Sequence, residues 1–167
     1  MSVCTLERAA LDEIFAHARA TAPDECCGAV LGSGGRDVVR RFTNVQARLH
    51  AEDPATYPRD ARTAYTPEPR ELFAVLQEAD EPGASLKVFY HSHTRVGAYF
   101  SGEDRARAMF GDDPAYPGVT YVVVHSELYQ PEEWKRVEEQ IRGYGSRLRF
   151  VHAEGAGRVY ELTARSG

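Results

Sequence analysis

Apolar positions recur along this chain with two different periods, and the period separates helices from strands. Leu11, Ile14, Phe15 and Ala18 fall at i, i+3, i+4 and i+7 of one face, which predicts a helix over 5–21 with Thr5 as its N-cap. "TPEPRELFAVLQEAD" predicts a second helix, with Leu72, Val75, Leu76 and Ala79 on one side. Its prolines fall in the first turn, where a missing N–H breaks no helical bond. "CCGAVLGS" reads as a short buried strand, "SGGRD" as a turn and "VVRRFTN" as a returning strand, so 26–44 predict a hairpin. "SLKVFYHSH" is a further strand, and "GVTYVVVHS" another whose continuous apolar content implies burial on both faces.

Two stretches are less regular. Residues 46–65, "QARLHAEDPATYPRDARTAY", show no period and are expected to form a long loop. Near the end, Trp134, Val137, Ile141 and Tyr144 have helical spacing, which predicts a short helix near 131–141. "RLRFVHA" and "RVYELTA" then alternate like strands around "EGAG", predicting a terminal hairpin. With no internal repeat, low-complexity tract or linker, the elements predict a single mixed α/β domain over 1–167.

Composition narrows the function classes. Apolar residues are 43% of the 167 and charged residues 27%, as in a globular domain with a real core. The net charge of −5 argues against a nucleic-acid footprint, which needs a clustered basic surface. No apolar run approaches membrane-spanning length, "VTYVVV" being among the longest. The start "MSVCTLERAALDE" lacks the basic and apolar regions of a secretory signal. Three cysteines, two of them adjacent, make no disulfide framework, so a cytoplasmic location is expected.

The chemistry is concentrated in "FYHSHTRVGAYFSGED", residues 89–104. His91 and His93 close a strand, and alternate strand residues share a face, so both imidazoles project together while Ser92 points the other way. "TRVGAYF" is a loop. "SGEDRARAM" then opens a helix with Ser101 at the N-cap and Asp104 in the first turn. A helix starting beside the strand end brings His91, His93 and Asp104 together as a facial set for a tetrahedral zinc ion with one open position. Ser-x-x-acid alone is an ordinary capping box, and a lone histidine pair on a strand is commonly no more than two solvated polar side chains. The joint pattern arises by chance in only about one in several thousand chains of this length, by typical residue usage. Capping and metal binding are also compatible: Ser101 can cap while Asp104 binds.

A hydrolytic zinc site needs a further carboxylate, not itself a ligand, to carry a proton. Glu25, in "PDECCGAVLG" at the start of a buried strand, is the candidate; Asp24 and Glu103 compete by type, although Glu103 should point outward from its helix. An acid at a strand start is otherwise a solvated strand end. Taken together, Glu25 in that setting followed by "HSHTRVGAYFSGED" resembles the JAMM (MPN+) family of zinc metallopeptidases, whose signature is an upstream Glu, then H-x-H, seven residues, S-x-x-D. The resemblance covers roughly residues 8–126. It extends to the free-standing prokaryotic members, and more weakly to the bacterial peptidases that act on ubiquitin-like sulfur-carrier proteins.

The resemblance implies a curved mixed sheet flanked by helices, of the cytidine-deaminase-like architecture. It implies that His91, His93 and Asp104 bind Zn2+, that Glu25 is general base and then acid, and that Ser101 helps hold an oxyanion. It implies hydrolysis of a peptide or isopeptide bond at the C-terminus of a ubiquitin-like or sulfur-carrier protein, whose flexible tail would pair along a strand edge. Two other readings stand beside it: a non-catalytic MPN-type binding or scaffold module, and a zinc hydrolase of a small amide. Thr94 and Phe100 depart from the prolines many members carry, which bears on the shape of the active-site loop and so on the substrate. Cys27 is expected to be a small buried residue rather than a nucleophile. The 46–65 segment is expected either to grip a partner's tail through Tyr57 or Tyr65, or to be an inert excursion.

Overall fold

A six-stranded mixed sheet forms the spine of the protein in a computed structural model that describes residues 4–95, 97–125, 148–154 and 157–162. Its strands are β1 (Cys27–Ser33), β2 (Arg36–Phe42), β3 (Ala84–His93), β6 (Thr120–His125), β7 (Leu148–Glu154) and β8 (Gly157–Leu162), in the spatial order β2-β1-β3-β6-β8-β7. All neighbouring pairs are antiparallel except β3 and β6. That parallel pair needs a crossover, and the crossover carries α4 (Gly102–Ala108) and a small hairpin of β4 (Met109–Phe110) and β5 (Asp113–Pro114). The remaining helices are α1 (Arg8–Thr21), α2 (Gln46–Glu52) and α3 (Pro69–Ala79).

The period-two alternation of the central strands sorts residues onto two faces. Cys26, Val30, Val88, Tyr90, Val122 and Val124 join Ile14 and Ala18 of α1 in one cluster. Cys27, Ala29, Leu31 and Phe42 pack with Val75 of α3 on the other side, with Leu72 and Ala79 against them. Tyr121, Val123 and Phe100 pack there with Ala108 of α4. Full burial of one side chain such as Ile14 contributes about 1.5–3 kcal/mol. On the α1 side, Tyr90 crosses beneath β1 and its hydroxyl bonds His17 Nδ1 at 2.8 Å. Gly28 is required there, since a Cβ would lie 2.4 Å from Tyr90 Oη and 2.5 Å from Arg40 O.

The helices predicted over 5–21, in "TPEPRELFAVLQEAD" and after Ser101, the 26–44 hairpin, the two central strands and the terminal hairpin are all present, the last as β7 and β8 paired from Glu154 and Gly157 outward. Three expectations change or fall away. The first helix begins at Arg8 with Glu7, not Thr5, at its N-cap. Residues before it are pulled out straight: Lys87 Nζ donates to Thr5 O, and Glu7 N donates to Asp37 Oδ2. The 46–65 segment is not a loop throughout, because α2 occupies its first third. Only Gln46 of α2 is buried, so the helix has no apolar stripe to betray it. Polar anchors hold it instead: Gln46 N donates to Asn44 Oδ1, Gln46 Nε2 to Arg59 O, and Thr66 Oγ1 to Gln46 Oε1. The helix expected near 131–141 lies outside the described residues. Among the described residues, no helix is long and apolar enough to cross a membrane.

Candidate metal centre

The C-terminal end of β3 is where chemistry-bearing side chains meet. Cys27 of β1 faces His91 across the ladder, and Ser92 N donates to Cys26 O, so β1 and β3 stay in register to the strand end. His91 and His93 emerge on the α3/α4 side; Ser92 turns to the other, where its hydroxyl accepts from Cys26 N at 2.8 Å. The loop after His93 folds back so that Gly97 O lies 2.6 Å from His93 Nδ1. A carbonyl only accepts, so Nδ1 carries the proton and Nε2 is left with its lone pair. Phe100, fully buried against Tyr121, anchors the loop before α4 begins. Thr94, the other departure from the family's prolines, donates its hydroxyl to Arg62 O at 3.0 Å and ties this loop to the 46–65 segment.

Helix α4 opens with a complete capping box. Ser101 Oγ accepts from Asp104 N at 3.1 Å, and Asp104 Oδ2 accepts from Ser101 N at 2.8 Å. The box fixes the Asp104 carboxylate, with Oδ2 on the cap and Oδ1 turned to His91. His91 Nε2 and His93 Nε2 are 3.2 Å apart, Asp104 Oδ1 is 3.3 Å from His91 Nε2, and Asp104 Oδ2 is 3.8 Å from His93 Nε2. All three residues are buried and can each offer one ligand atom. A small ion bound tetrahedrally at about 2.0–2.2 Å needs ligand edges of roughly 3.4 Å; the edge between the imidazoles and that from Asp104 Oδ1 to His91 lie near this value, and one ligand atom from each residue lies within 4.8 Å of the others, a set compatible with a metal ion. Its charge states fit too. Burial and the neighbouring His91 push His93 down to about 4, keeping it neutral. Asp104 loses some acidity to burial, but His91, His93 and the Ser101 hydrogen bond outweigh it and hold the carboxyl well below the usual carboxylate range.

Glu25 sits two residues before Cys27, on the face that carries the histidines, and is 5% exposed. Burial pushes its carboxyl up to about 7; the charge of Asp104 adds to this and His91 opposes it. Its backbone is clamped on both sides: Glu25 N donates to Ala61 O at 2.7 Å, and Asn44 Nδ2 donates to Glu25 O at 2.9 Å. The two rivals sit elsewhere. Glu103 is exposed and shared between Arg59 and Arg107, and Asp24 is half-buried in the turn after α1. Burial pushes the Cys26 thiol up to about 11 and the Cys27 thiol higher still, which leaves both protonated and inert.

Three groups here carry no short-range sequence signal. Tyr65 stacks on His91 with ring centroids 4.5 Å apart, and the Arg107 guanidinium lies over its ring, 5.4 Å from the centroid. The Tyr65 ring therefore forms part of the site wall beside His91. Asn44 uses its full hydrogen-bonding capacity, donating to Glu25 O and Ala64 O and accepting from Gln46 N and Thr66 N. Gly97 contributes only a carbonyl. Each acts through partners distant in sequence.

A mixed sheet flanked by helices thus carries, at a strand end, a buried two-histidine, one-carboxylate set compatible with a metal ion, with the buried acid Glu25 beside it. The chain belongs to the prokaryotic homologs of the JAB domain, whose family model matches residues 7–138. It is 33% identical over 97 residues to the "CysO-cysteine peptidase" of Mycobacterium tuberculosis (strain ATCC 25618 / H37Rv), over 56% of this chain and 58% of that one. The protein of the same name from Mycobacterium bovis (strain ATCC BAA-935 / AF2122/97) matches to the same extent. The chain thus spans 58% of the length of these relatives. The solution structure of protein DSY2949 from Desulfitobacterium hafniense superposes with a TM-score of 0.52 at 22% identity over 76% of each chain, a likeness of fold.

Proposed function

We propose that the protein is a zinc-dependent metallopeptidase. It hydrolyses a peptide or isopeptide bond at the C-terminus of a ubiquitin-like or sulfur-carrier protein conjugate. The observation that carries this reading is the buried triad, with the two Nε2 atoms 3.2 Å apart and Asp104 Oδ1 3.3 Å from that of His91, beside an acid whose carboxyl is raised to about 7. His91, His93 and Asp104 would hold the ion through Nε2, Nε2 and a carboxylate oxygen. Bound zinc supplies Lewis-acid polarisation and a water made acidic enough to attack near neutral pH.

The chain's own residues do the rest. Glu25 takes a proton from the attacking water and gives it to the leaving nitrogen, so the bond breaks into a carboxylate and a free amine. An acid titrating near 7 suits both halves of that transfer. The Ser101 hydroxyl oxygen accepts from Asp104 N, which leaves its proton to donate to the oxygen that gains charge in the transition state. The name of the mycobacterial relatives supports a sulfur-carrier protein as the partner. The test is incubation of the zinc-loaded protein with ubiquitin-like and sulfur-carrier fusions, with products read by mass spectrometry. A single cut after the carrier's last residue is expected, absent in Glu25→Gln. Intact fusions from a protein that holds stoichiometric zinc would refute the reading.

A further inference from the structure

Two arginines from different parts of the chain share one carboxylate beside the triad. Arg107 of α4 donates through Nη2 to Glu103 Oε1 at 3.0 Å, and Arg59, from the 46–65 segment, pairs with Glu103 Oε2. Arg107 is held from a second direction: its Nη1 donates to Tyr65 O, and its guanidinium lies 5.4 Å from the centroid of the Tyr65 ring that stacks on His91. Arg107, His91 and Asp104 line one cavity of about 170 Å³. Stability does not account for the cluster. Its three side chains are 39–44% exposed, and exposed ion pairs contribute little. Charge does count. Two guanidiniums against one carboxylate leave the cluster with one positive charge in excess, in a chain whose net charge is −5.

That excess falls on one side of the reaction. Burial raises the Glu25 carboxyl, while the charges of His91, Arg59 and Arg107 act against it. Both guanidiniums therefore stand within electrostatic reach of the acid that hands a proton to the leaving nitrogen. In an α-linked terminal residue, the free carboxylate carbon is two bonds and about 2.5 Å from that nitrogen. In a conjugate through lysine, the leaving nitrogen carries a flexible four-carbon stem instead, with no carboxylate beside it.

We propose that Arg107, framed by Arg59 and Glu103, determines specificity for the leaving group: it binds the free α-carboxylate of a single terminal amino acid that the protein removes from its carrier. Water gives its hydroxyl to the carrier's last carbonyl carbon, the C–N bond breaks and the leaving nitrogen takes the proton, so a carboxylate and a free amino acid result. A guanidinium has five N–H donors in a planar fork. Arg107 uses two of them on Tyr65 O and Glu103, which leaves donors for a second carboxylate. The carrier's flexible tail lies on the other side of the bond, so it does not compete for this place. The inference selects the peptide over the isopeptide bond and rests on the peptidase reading for its substrate; the arginine cluster does not depend on it.

The test has two arms. In the first, the zinc-loaded protein is titrated with N-acetylalanine and with the neutral N-acetylalaninamide, followed by NMR. The acid should bind about tenfold more tightly, as a hydrogen bond to a charged group allows. Arg107→Gln should remove that preference. A carboxylate that meets only the ion would bind the variant as tightly as the parent, which overturns the proposal, as does equal or absent binding of the two probes. Glu103→Gln separates recognition from a structural role. With the internal rival gone, the preference for the acid should widen several-fold; a narrower preference overturns the proposal. In the second arm, carrier fusions end in one alanine after the bond, as the free acid or as the amide. The acid should be cut with a kcat/KM about tenfold higher, mainly through KM, and Arg107→Gln should bring it down to the level of the amide. Equal rates for acid and amide, or a gap that survives Arg107→Gln, overturn the proposal. An Arg107-dependent preference in binding with no fusion cut counts against the peptidase reading alone and supports Arg107 as a carboxylate site.

Discussion

Replacing Glu25 by Gln should make the metal-free protein more stable while destroying its activity. In the folded chain the Glu25 carboxyl is moved from 4.5 to about 7, with burial the first cause. Each pKa unit is worth about 1.36 kcal/mol, so holding this group ionised costs the folded state about 3 kcal/mol. The sign follows from linkage: a folded pKa above the unfolded one gives stability that is present below 4.5 and lost as pH rises through 7. A glutamine side chain is nearly isosteric with glutamate and does not titrate. In chelator, the variant should exceed the parent by about 1 kcal/mol or less at pH 5 and by about 3 kcal/mol at pH 8. His93, pushed down to about 4, has the opposite dependence between 6.5 and 4, gaining stability as pH rises. Its dependence is common to both proteins and cancels in the difference. Urea unfolding at the two pH values reads the effect as a midpoint gap of about 1 M or more at pH 8. A gap of the same size at both pH values, or none at pH 8, would show that Glu25 is not the strained, desolvated acid described here.

His91→Ala, His93→Ala and Asp104→Ala should each lose bound zinc and turnover, measured by metal analysis of protein purified without chelator; Asp104→Ala should also lose about 1 kcal/mol of stability with its helix cap. Ser101→Ala should keep its zinc but lower kcat about 100-fold or more through the missing oxyanion donor; an unchanged kcat would remove Ser101 from that role. Asn44→Ala leaves four backbone groups without partners, so it should destabilise by about 2–4 kcal/mol and lower kcat through Glu25 while zinc content holds, checked by unfolding and metal analysis on the same sample.

How much of this was legible in the sequence depends on the range of the interaction. The triad was legible because β-pleat and cap geometry are local rules: two residues along a strand restore the face, and three residues into a helix reach back to the cap. The core strands and the hairpin were legible for the same reason. What escaped was set by contacts across the fold. Thr5 looks like a cap until Lys87 and Asp37 draw the preceding chain out straight. The helix at Gln46–Glu52 has no apolar period, because amides and hydroxyls from Asn44, Arg59 and Thr66 hold it. Asn44 and Tyr65 look like ordinary residues in an irregular segment until the fold sets one behind Glu25 and the other on His91.

Asp104 closes the cap of its own helix, and the ladders of β3 with β1 and with β6 hold His91 and His93, so all three candidate ligands stand in place by forces that owe nothing to an ion. In zinc fingers, by contrast, the ion is what folds the chain. Here loading and unloading should take place on a finished molecule, as a plug enters a socket. Scarcity of the ion would then leave behind an idle but intact stock, and resupply would restart it within the time of diffusion and ligand exchange, with no new synthesis and no refolding.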